Sequence, residues 1–270
     1  MTVASTFLPV FRKNALYENE RLVPMVRTGK ARASEVLELC RNYRVAGICS
    51  LLMSASASES HHFLRKSTAA FAWCTAQGTP AFTLVRVLAP LLDALCTGDI
   101  PTARDIARQV GSVWDSRSEY EEDFLYARFL CSHFLGLSEE TPEASLVDRY
   151  AQLVGQGEDP RLLLVKSFLE RDEALFGQGL EALLSERAAR YQRLAAKEAI
   201  PLWESSTEGY VCVEGLALVA LAERKGFKTR SDYLHVPSLA RLPAPAEKGS
   251  ADWEAEARQD MQQRSPGRRS

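Results

Sequence analysis

Hydrophobic residues recur along this chain with the spacing of amphipathic helices. Between Ser34 and Met53 the apolar positions follow a period close to 3.6 residues, which predicts a helix. A second stripe runs from Tyr120 to Phe134 in steps of four, three, four and three residues. A third occupies residues 176–199, whereas the alternation expected of strands is scarce. The pattern therefore predicts an all-α protein.

Capping and turn signals divide these patterns into separate helices. The pairs Ser56–Glu59 and Ser118–Glu121 have the spacing of a capping box, which predicts that a helix begins behind each serine. Asp159–Pro160 predicts another start, because aspartate suits the N-cap and proline suits the first helical position. Short turns of this kind join antiparallel neighbours, so we expect one compact domain of antiparallel helical hairpins with about 9–11 helices.

Two segments are too apolar to lie on the surface. Residues 80–97 and 211–222 carry hydrophobic side chains around most of the helix circumference, which predicts central, buried helices. Residues 91–110 and 130–153 resemble each other loosely, each reading helix, glycine, acidic turn, proline and helix. That similarity leaves a helical-repeat architecture open as the alternative to a closed globule.

The chain changes character near Leu242. Prolines follow at 243 and 245, then scattered charge and a closing run rich in arginine and serine. We therefore expect a helical globular domain over residues 1–242 and a disordered C-terminal tail over residues 243–270.

Composition narrows the functional classes. The 270 residues carry a formal net charge of −2, so no overall attraction to nucleic acid or to anionic lipid is expected. The N-terminus lacks the charge pattern of a signal peptide, and no apolar run approaches the length of a membrane span. Six widely spaced cysteines without a C-x-x-C motif suit small buried hydrophobes in a reducing compartment. We expect a cytoplasmic protein with neither nucleic-acid nor membrane partners.

Motifs that carry catalytic or metal chemistry are missing from the sequence. No nucleophile elbow, phosphate-binding loop or dinucleotide fingerprint occurs. His61 and His62 would point about 100° apart on a helix and could not share a metal, so we expect partly exposed histidines there. His133 is expected at the boundary of the core. We predict no metal, no cofactor and no enzymatic activity; an enzyme would need a pocket that gathers His133 or His61 with distant carboxylates.

Charge is distributed unevenly along the chain. Between Val113 and Asp148 nine acidic residues face two arginines, a net charge of −7. Such a region is either an ordinary solvated surface or a patch that meets a basic partner, where charge would set association rate and specificity. The candidate contact residues are Asp115, Glu119, Glu121, Glu122, Asp123, Glu139, Glu140 and Glu143.

A C-terminal segment resembles a known family. A helix rich in small and apolar residues is predicted over 210–225, ending at Gly226, and a Tyr-Leu-x-x-Pro element follows it before a final leucine. This pattern is similar to the C-terminal signature of the immunity protein 49 family of bacterial polymorphic toxin systems. The matching positions are Gly215, Leu216, Ala217, Leu221, Ala222, Gly226, Tyr233, Leu234, Pro237 and Leu239.

The resemblance implies an all-helical protein that binds and neutralises a cognate toxin protein by direct contact. It transfers no binding residues, because immunity proteins usually vary where they touch their toxin. The alternative function is a helical-repeat adaptor, resembling tetratricopeptide scaffolds, that holds a peptide or protein in a concave groove. A closed globule with the 211–222 helix at its centre would oppose this adaptor. The oligomeric state is left open.

Overall fold

Helices account for the regular structure of this protein. The computed structural model describes residues 6–78, 82–109, 113–137, 141–242 and 253, and within that part of the chain it contains eleven α-helices, one short 3-10 helix and no strand. The all-α prediction and the expected number of helices are confirmed. The α-helices are α1 Leu8–Arg27, α2 Ala33–Ser54, α3 Ala57–Ala76, α4 Leu84–Cys96, α5 Ile100–Arg108, α6 Glu121–Leu135, α7 Glu143–Val154, α8 Pro160–Glu170, α9 Glu173–Ala196, α10 Leu202–Ser206 and α11 Val213–Arg224.

Two of the three predicted helix starts are confirmed. The Ser56 side chain accepts a hydrogen bond from the Glu59 amide at the start of α3, and Asp159 caps α8 with Pro160 as its first residue. The predicted capping box at Ser118 is wrong. Helix α6 begins at Glu121 itself, and Ser118 donates instead to Asp115 in the preceding loop.

Consecutive helices pack as pairs around a shared core. Helix α1 packs on α2, α2 on α3, α6 on α7, and α8 on α9. Helices α4 and α11 pack against each other, and most of their residues are buried. The two very apolar segments therefore lie at the centre, as predicted. A closed core around α11 opposes the helical-repeat adaptor.

The segment after α11 folds back onto that helix. The Cys212 amide donates to the His235 carbonyl at 2.8 Å, and the Val236 side chain lies against Gly215. Pro237 then precedes the 3-10 helix Ser238–Arg241. Most of the residues that carry the family resemblance thus build one packed structural unit.

The end of the chain contributes to the core at two points. The Ala240 carbonyl lies 2.9 Å from Nε2 of His61. Trp253 is buried, its ring packs against Trp73, and its carbonyl accepts a hydrogen bond from the Tyr43 hydroxyl. Apart from Trp253, the predicted disordered tail, residues 243–270, lies outside the described residues.

The six cysteines behave as buried hydrophobes. None forms a disulfide, and burial raises the pKa of each thiol. Within the described residues, no helix combines the length and apolar content that crossing a bilayer requires.

Candidate partner-binding surface

The structure divides the predicted acidic patch between the two ends of one helix pair. Glu121 binds Arg149 in the second half of α7, while Glu143 at the start of α7 binds His133 near the end of α6. These contacts show that α6 and α7 run antiparallel. They also place Glu143 about 18 Å from Glu121, at a rise of 1.5 Å per residue. Glu139 and Glu140 lie outside the described residues.

Basic residues neutralise part of the acidic charge. Arg149 donates to both carboxylate oxygens of Glu121, at 2.7 and 3.0 Å. Arg161, at the start of α8, donates to Asp123 at 2.8 Å. Both arginines come after Asp148 in the sequence, so a charge count over residues 113–148 omits them.

The loop before α6 is internally bonded. The Asp115 carboxylate accepts hydrogen bonds from the Arg117 amide and the Ser118 hydroxyl, and the Ser118 bond is the main cause that lowers the pKa of Asp115. The Glu119 carboxylate accepts from the amides of Asp115, at 3.2 Å, and Val85, at 3.1 Å. Glu119 therefore fastens the loop to the first turn of α4.

Three large apolar side chains emerge from this acidic loop. Val113 is 81% exposed, Tyr120 is 78% exposed and Trp114 is 38% exposed. The Trp114 indole N–H donates to the Glu119 carbonyl at 3.1 Å, which holds the ring in place. Tyrosine and tryptophan are enriched at protein interfaces. We call residues 113–123 the acidic-aromatic segment.

Sequence reasoning missed these apolar residues. Tyr120 fits the periodic stripe of α6 and was expected to face the core, but it precedes the helix and points to solvent. A usable signal was present, since three large apolar residues stand among charged and polar ones between 113 and 120. In the same segment, Glu122 makes no ion pair or hydrogen bond to any described residue.

A cleft of about 820 Å³ adjoins the acidic-aromatic segment. Its edge includes Val85, which binds Glu119, and Arg161, which binds Asp123. The cleft lies between α4, the start of α8, α9 and the start of α11 with the residues just before it. Its apolar lining comprises Val85, Leu88, Ala89, Leu92, Pro160, Leu183, Ala189, Val211 and Val213.

Ion pairs that are at least partly buried join the elements around this cleft. Arg44 donates to Asp93 at 2.8 Å, and Ser67 donates to the other carboxylate oxygen of Asp93 at 2.7 Å. Burial raises the pKa of Asp93 to about 6, against the opposing effect of Arg44. Arg161 forms a two-point contact with Glu214 at 2.8 and 3.1 Å. These pairs fix the positions of the helices that line the cleft relative to one another.

The histidines do not gather into a reactive centre. His61 is 5% exposed, which corrects the expectation of a partly exposed residue; α3 turns it under the 3-10 helix, where it meets Ala240. His133 is partly buried at the core boundary, as predicted, and its Nδ1 lies 2.8 Å from Glu143. Among the described residues, no three His, Cys, Asp or Glu side chains are placed to hold a metal ion.

Comparison with known proteins gives one match. The family model described as immunity protein 49 matches residues 39–239, which include the C-terminal segment whose pattern suggested that family. No curated protein and no solved structure matches the chain. Because the matched region covers more than half of the chain, this protein belongs to the immunity protein 49 family.

Proposed function

We propose that this protein binds a cognate bacterial toxin and neutralises it by direct protein–protein contact. Membership of the immunity protein 49 family is the observation that carries this proposal. An all-helical fold with a packed core supports it, because a preformed surface loses little conformational entropy on binding. The proposed partner is a protein with a basic surface.

The acidic-aromatic segment is the proposed contact surface. It contains Asp115, Glu119, Glu121, Glu122 and Asp123, and it presents Tyr120 and Trp114 beside them. Exposed aromatic rings supply contact area, while the surrounding carboxylates select a partner of opposite charge. Glu143 and its sequence neighbours Glu139 and Glu140 are proposed as a second acidic contact.

Co-expression tests the proposed function. The protein encoded next to this chain would be expressed from an inducible promoter, alone and together with this protein. We expect growth arrest when the neighbour is expressed alone, normal growth with both, and a complex that co-purifies. Growth arrest that persists in the presence of this chain, without a complex, would refute toxin neutralisation.

Single substitutions test the surface without disturbing the fold. Glu122→Lys reverses a charge that has no partner among the described residues, and Tyr120→Ala removes a ring that is 78% exposed. Each should weaken toxin binding, by roughly 30-fold for a central aromatic residue. Glu121 and Asp123 are poor choices, because lysine there would face Arg149 or Arg161.

Matched controls lie on other helices. Glu38→Lys makes the same charge change at an exposed position of α2, and Tyr17→Ala removes a tyrosine that is 53% exposed on α1. Both controls should bind the toxin as the unmodified protein does. If all four variants protect equally well, the acidic-aromatic segment is not the contact surface.

A further inference from the structure

One arginine in the cleft has a polar atom without a partner. Arg187, on α9, lies with its guanidinium carbon 4.5 Å from the centre of the Tyr191 ring. Its Nη1 atom is shielded from solvent and has no hydrogen-bond acceptor among the described residues. Buried N–H groups of charged side chains nearly always find an acceptor.

The other partly buried charges of the cleft are already satisfied. Arg44 binds Asp93, Arg161 binds Glu214, and Glu208 lies 3.7 Å from Arg41. Asp159 accepts hydrogen bonds from the Tyr150 hydroxyl and from two amides of α8. Among the partly buried cations of the cleft lining, Arg187 therefore has no anionic partner within the described residues.

Exposed charges at the rim balance one another. Glu158 and Glu186 are exposed carboxylates, and Arg190 and Arg193 are exposed guanidinium groups. Water screens all four, so they add little net field inside the cleft. Inside the cleft, Arg187 is then a cation that makes no ion pair with a described residue.

The apolar walls of the cleft would strengthen a hydrogen bond between Arg187 and an anion. Leu183 and Tyr191 line the cleft on the same helix, and Leu88, Val211 and Val213 line the part formed by other elements. Burial raises the pKa of Tyr191 to about 12, which keeps the phenol neutral beside Arg187. Apolar walls lower the local dielectric, so a charge-assisted hydrogen bond there is stronger than on the surface.

We propose that this cleft binds a partner segment that carries one carboxylate next to an apolar side chain, with the carboxylate on Arg187. A carboxylate would pair with the guanidinium group of Arg187, and the apolar neighbour would cover Leu88 and Leu183. A volume of about 820 Å³ suits a few side chains. That the partner is the toxin rests on the proposed function. That the site binds a carboxylate rests only on the residues that line the cleft.

The cleft and the acidic-aromatic segment would act as two parts of one interface. The segment offers negative charge and the adjoining cleft offers the unpaired guanidinium of Arg187, and the two sites meet at Val85 and Arg161. Opposite charges at neighbouring points define the orientation of a partner.

A peptide titration tests the cleft. The probes are acetyl-Leu-Glu-Leu-amide and its neutral analogue acetyl-Leu-Gln-Leu-amide, followed through the NMR signals of the Tyr191 ring in the full chain. We expect the glutamate peptide to bind at least ten times more tightly than the glutamine peptide. Equal affinity of the two peptides, or the absence of any shift at Tyr191, would overturn the proposal.

Two variants test whether Arg187 is the charge that causes the preference for the glutamate peptide. Arg187→Gln should remove the preference for the glutamate peptide, whereas Arg224→Gln, which neutralises an exposed arginine on α11, should retain it. Inorganic phosphate is a further probe. If phosphate shifts the Tyr191 signals but neither peptide does, the cleft binds free anions and the proposal of a protein segment fails.

The peptide titration and the co-expression test have outcomes that do not depend on each other. The wild-type protein alone distinguishes the two peptides, so the result stands even if Arg187→Gln does not fold. A peptide preference without toxin rescue would retain the carboxylate site and reject toxin neutralisation. Rescue without a peptide preference would retain toxin neutralisation and reject the carboxylate site.

Discussion

Asp93 and Arg44 form a buried ion pair whose two members depend on each other. Asp93 is 1% exposed, and the Arg44 side chain covers it from the cleft side. Charged groups lose much hydration free energy in such a place, so removing one partner costs far more than the pair contributes. The pair fixes α2 against α4, the central helix that lines the cleft.

Replacing Arg44 by methionine should therefore destabilise the fold strongly. Methionine keeps much of the side-chain volume but leaves the Asp93 carboxylate unpaired, and we expect the free energy of unfolding to fall by about 3–5 kcal/mol at pH 7. Because burial already raises the pKa of Asp93 to about 6, the carboxyl becomes neutral on acidification. The loss should shrink towards pH 5, as chemical denaturation at both pH values would show.

An exposed pair provides the comparison. Arg108 lies 3.6 Å from Asp105 on the surface of α5, where ion pairs stabilise proteins by about 0–1 kcal/mol. Arg108→Met should change the free energy of unfolding by no more than that, at either pH. A similar loss for Arg44→Met and Arg108→Met would mean that burial of the Asp93 pair has no energetic consequence.

His61 should make the fold sensitive to acid. Burial is the main cause that lowers its pKa, although the Ala240 carbonyl opposes the shift. The unfolded chain, with an imidazole pKa of about 6.5, then binds the proton more readily than the folded protein. The stabilising contribution is present above that value, and it is lost as pH falls below it, with a slope of at most about 1.4 kcal/mol per pH unit.

His61→Gln should flatten this dependence. Glutamine can still donate to Ala240 but cannot take up a proton, so the free energy of unfolding should change less between pH 7 and pH 5 than in the unmodified protein. Identical pH profiles for His61→Gln and the unmodified protein would contradict a buried, neutral His61.

At the scale of elements, two glycines in helices show opposite environments. A Cβ atom at Gly215 in α11 would lie 2.6 Å from Cγ2 of Val236 and 3.0 Å from Cδ2 of Leu184. A Cβ atom at Gly177 in α9 would meet nothing within 4 Å. Gly215 thus permits α11, α9 and the 233–236 turn to approach closely, whereas Gly177 has no packing role.

Alanine substitutions at these glycines should have opposite signs. Gly177→Ala should stabilise the protein by about 0.5–1 kcal/mol, because alanine is the better helix former. Gly215→Ala should destabilise it by about 1–3 kcal/mol through overpacking against Val236. Thermal unfolding of both variants measures the difference, and a double variant with Val236→Ala should show favourable coupling. Stabilisation by Gly215→Ala would contradict the close approach.

The local pattern predicts the helices well but not all of their ends. Periodicity locates α2, α6 and α9, and the caps at Ser56 and Asp159 are correct because they depend on adjacent residues alone. The start of α6 is not predictable in this way. Glu119 is held by the Val85 amide, 34 residues away, and this long-range bond shapes the loop so that Tyr120 points outward.

At the scale of the whole molecule, folding rearranges the charge that the sequence displays. The charge of −7 over residues 113–148 treats every acid as available. The fold brings Arg149 and Arg161 to Glu121 and Asp123, and it moves Glu143 to the other end of α6. A linear count cannot detect such pairing, because it depends on how α7 and α8 pack on α6. Of the eight candidate contacts, Glu122 thus emerges as the best-suited single probe.

Association kinetics should separate the two components of the acidic-aromatic segment. Charge mainly sets the rate of encounter, whereas buried aromatic contacts mainly set the lifetime of a complex. Glu122→Lys should therefore lower the association rate constant several-fold at low salt and reduce its dependence on ionic strength. Tyr120→Ala should leave that rate nearly unchanged and raise the dissociation rate constant by roughly 30-fold.

Surface plasmon resonance with a catalytically inactivated toxin would measure both constants over a range of salt concentrations. Glu38→Lys makes the same change in net charge on α2, outside the acidic-aromatic segment, so it distinguishes local steering from the effect of total charge. Because the chain carries a net charge of only −2, any strong salt dependence has to arise from a local field. An association rate that Glu122→Lys and Glu38→Lys lower equally would show that overall charge, and not this surface, guides the toxin.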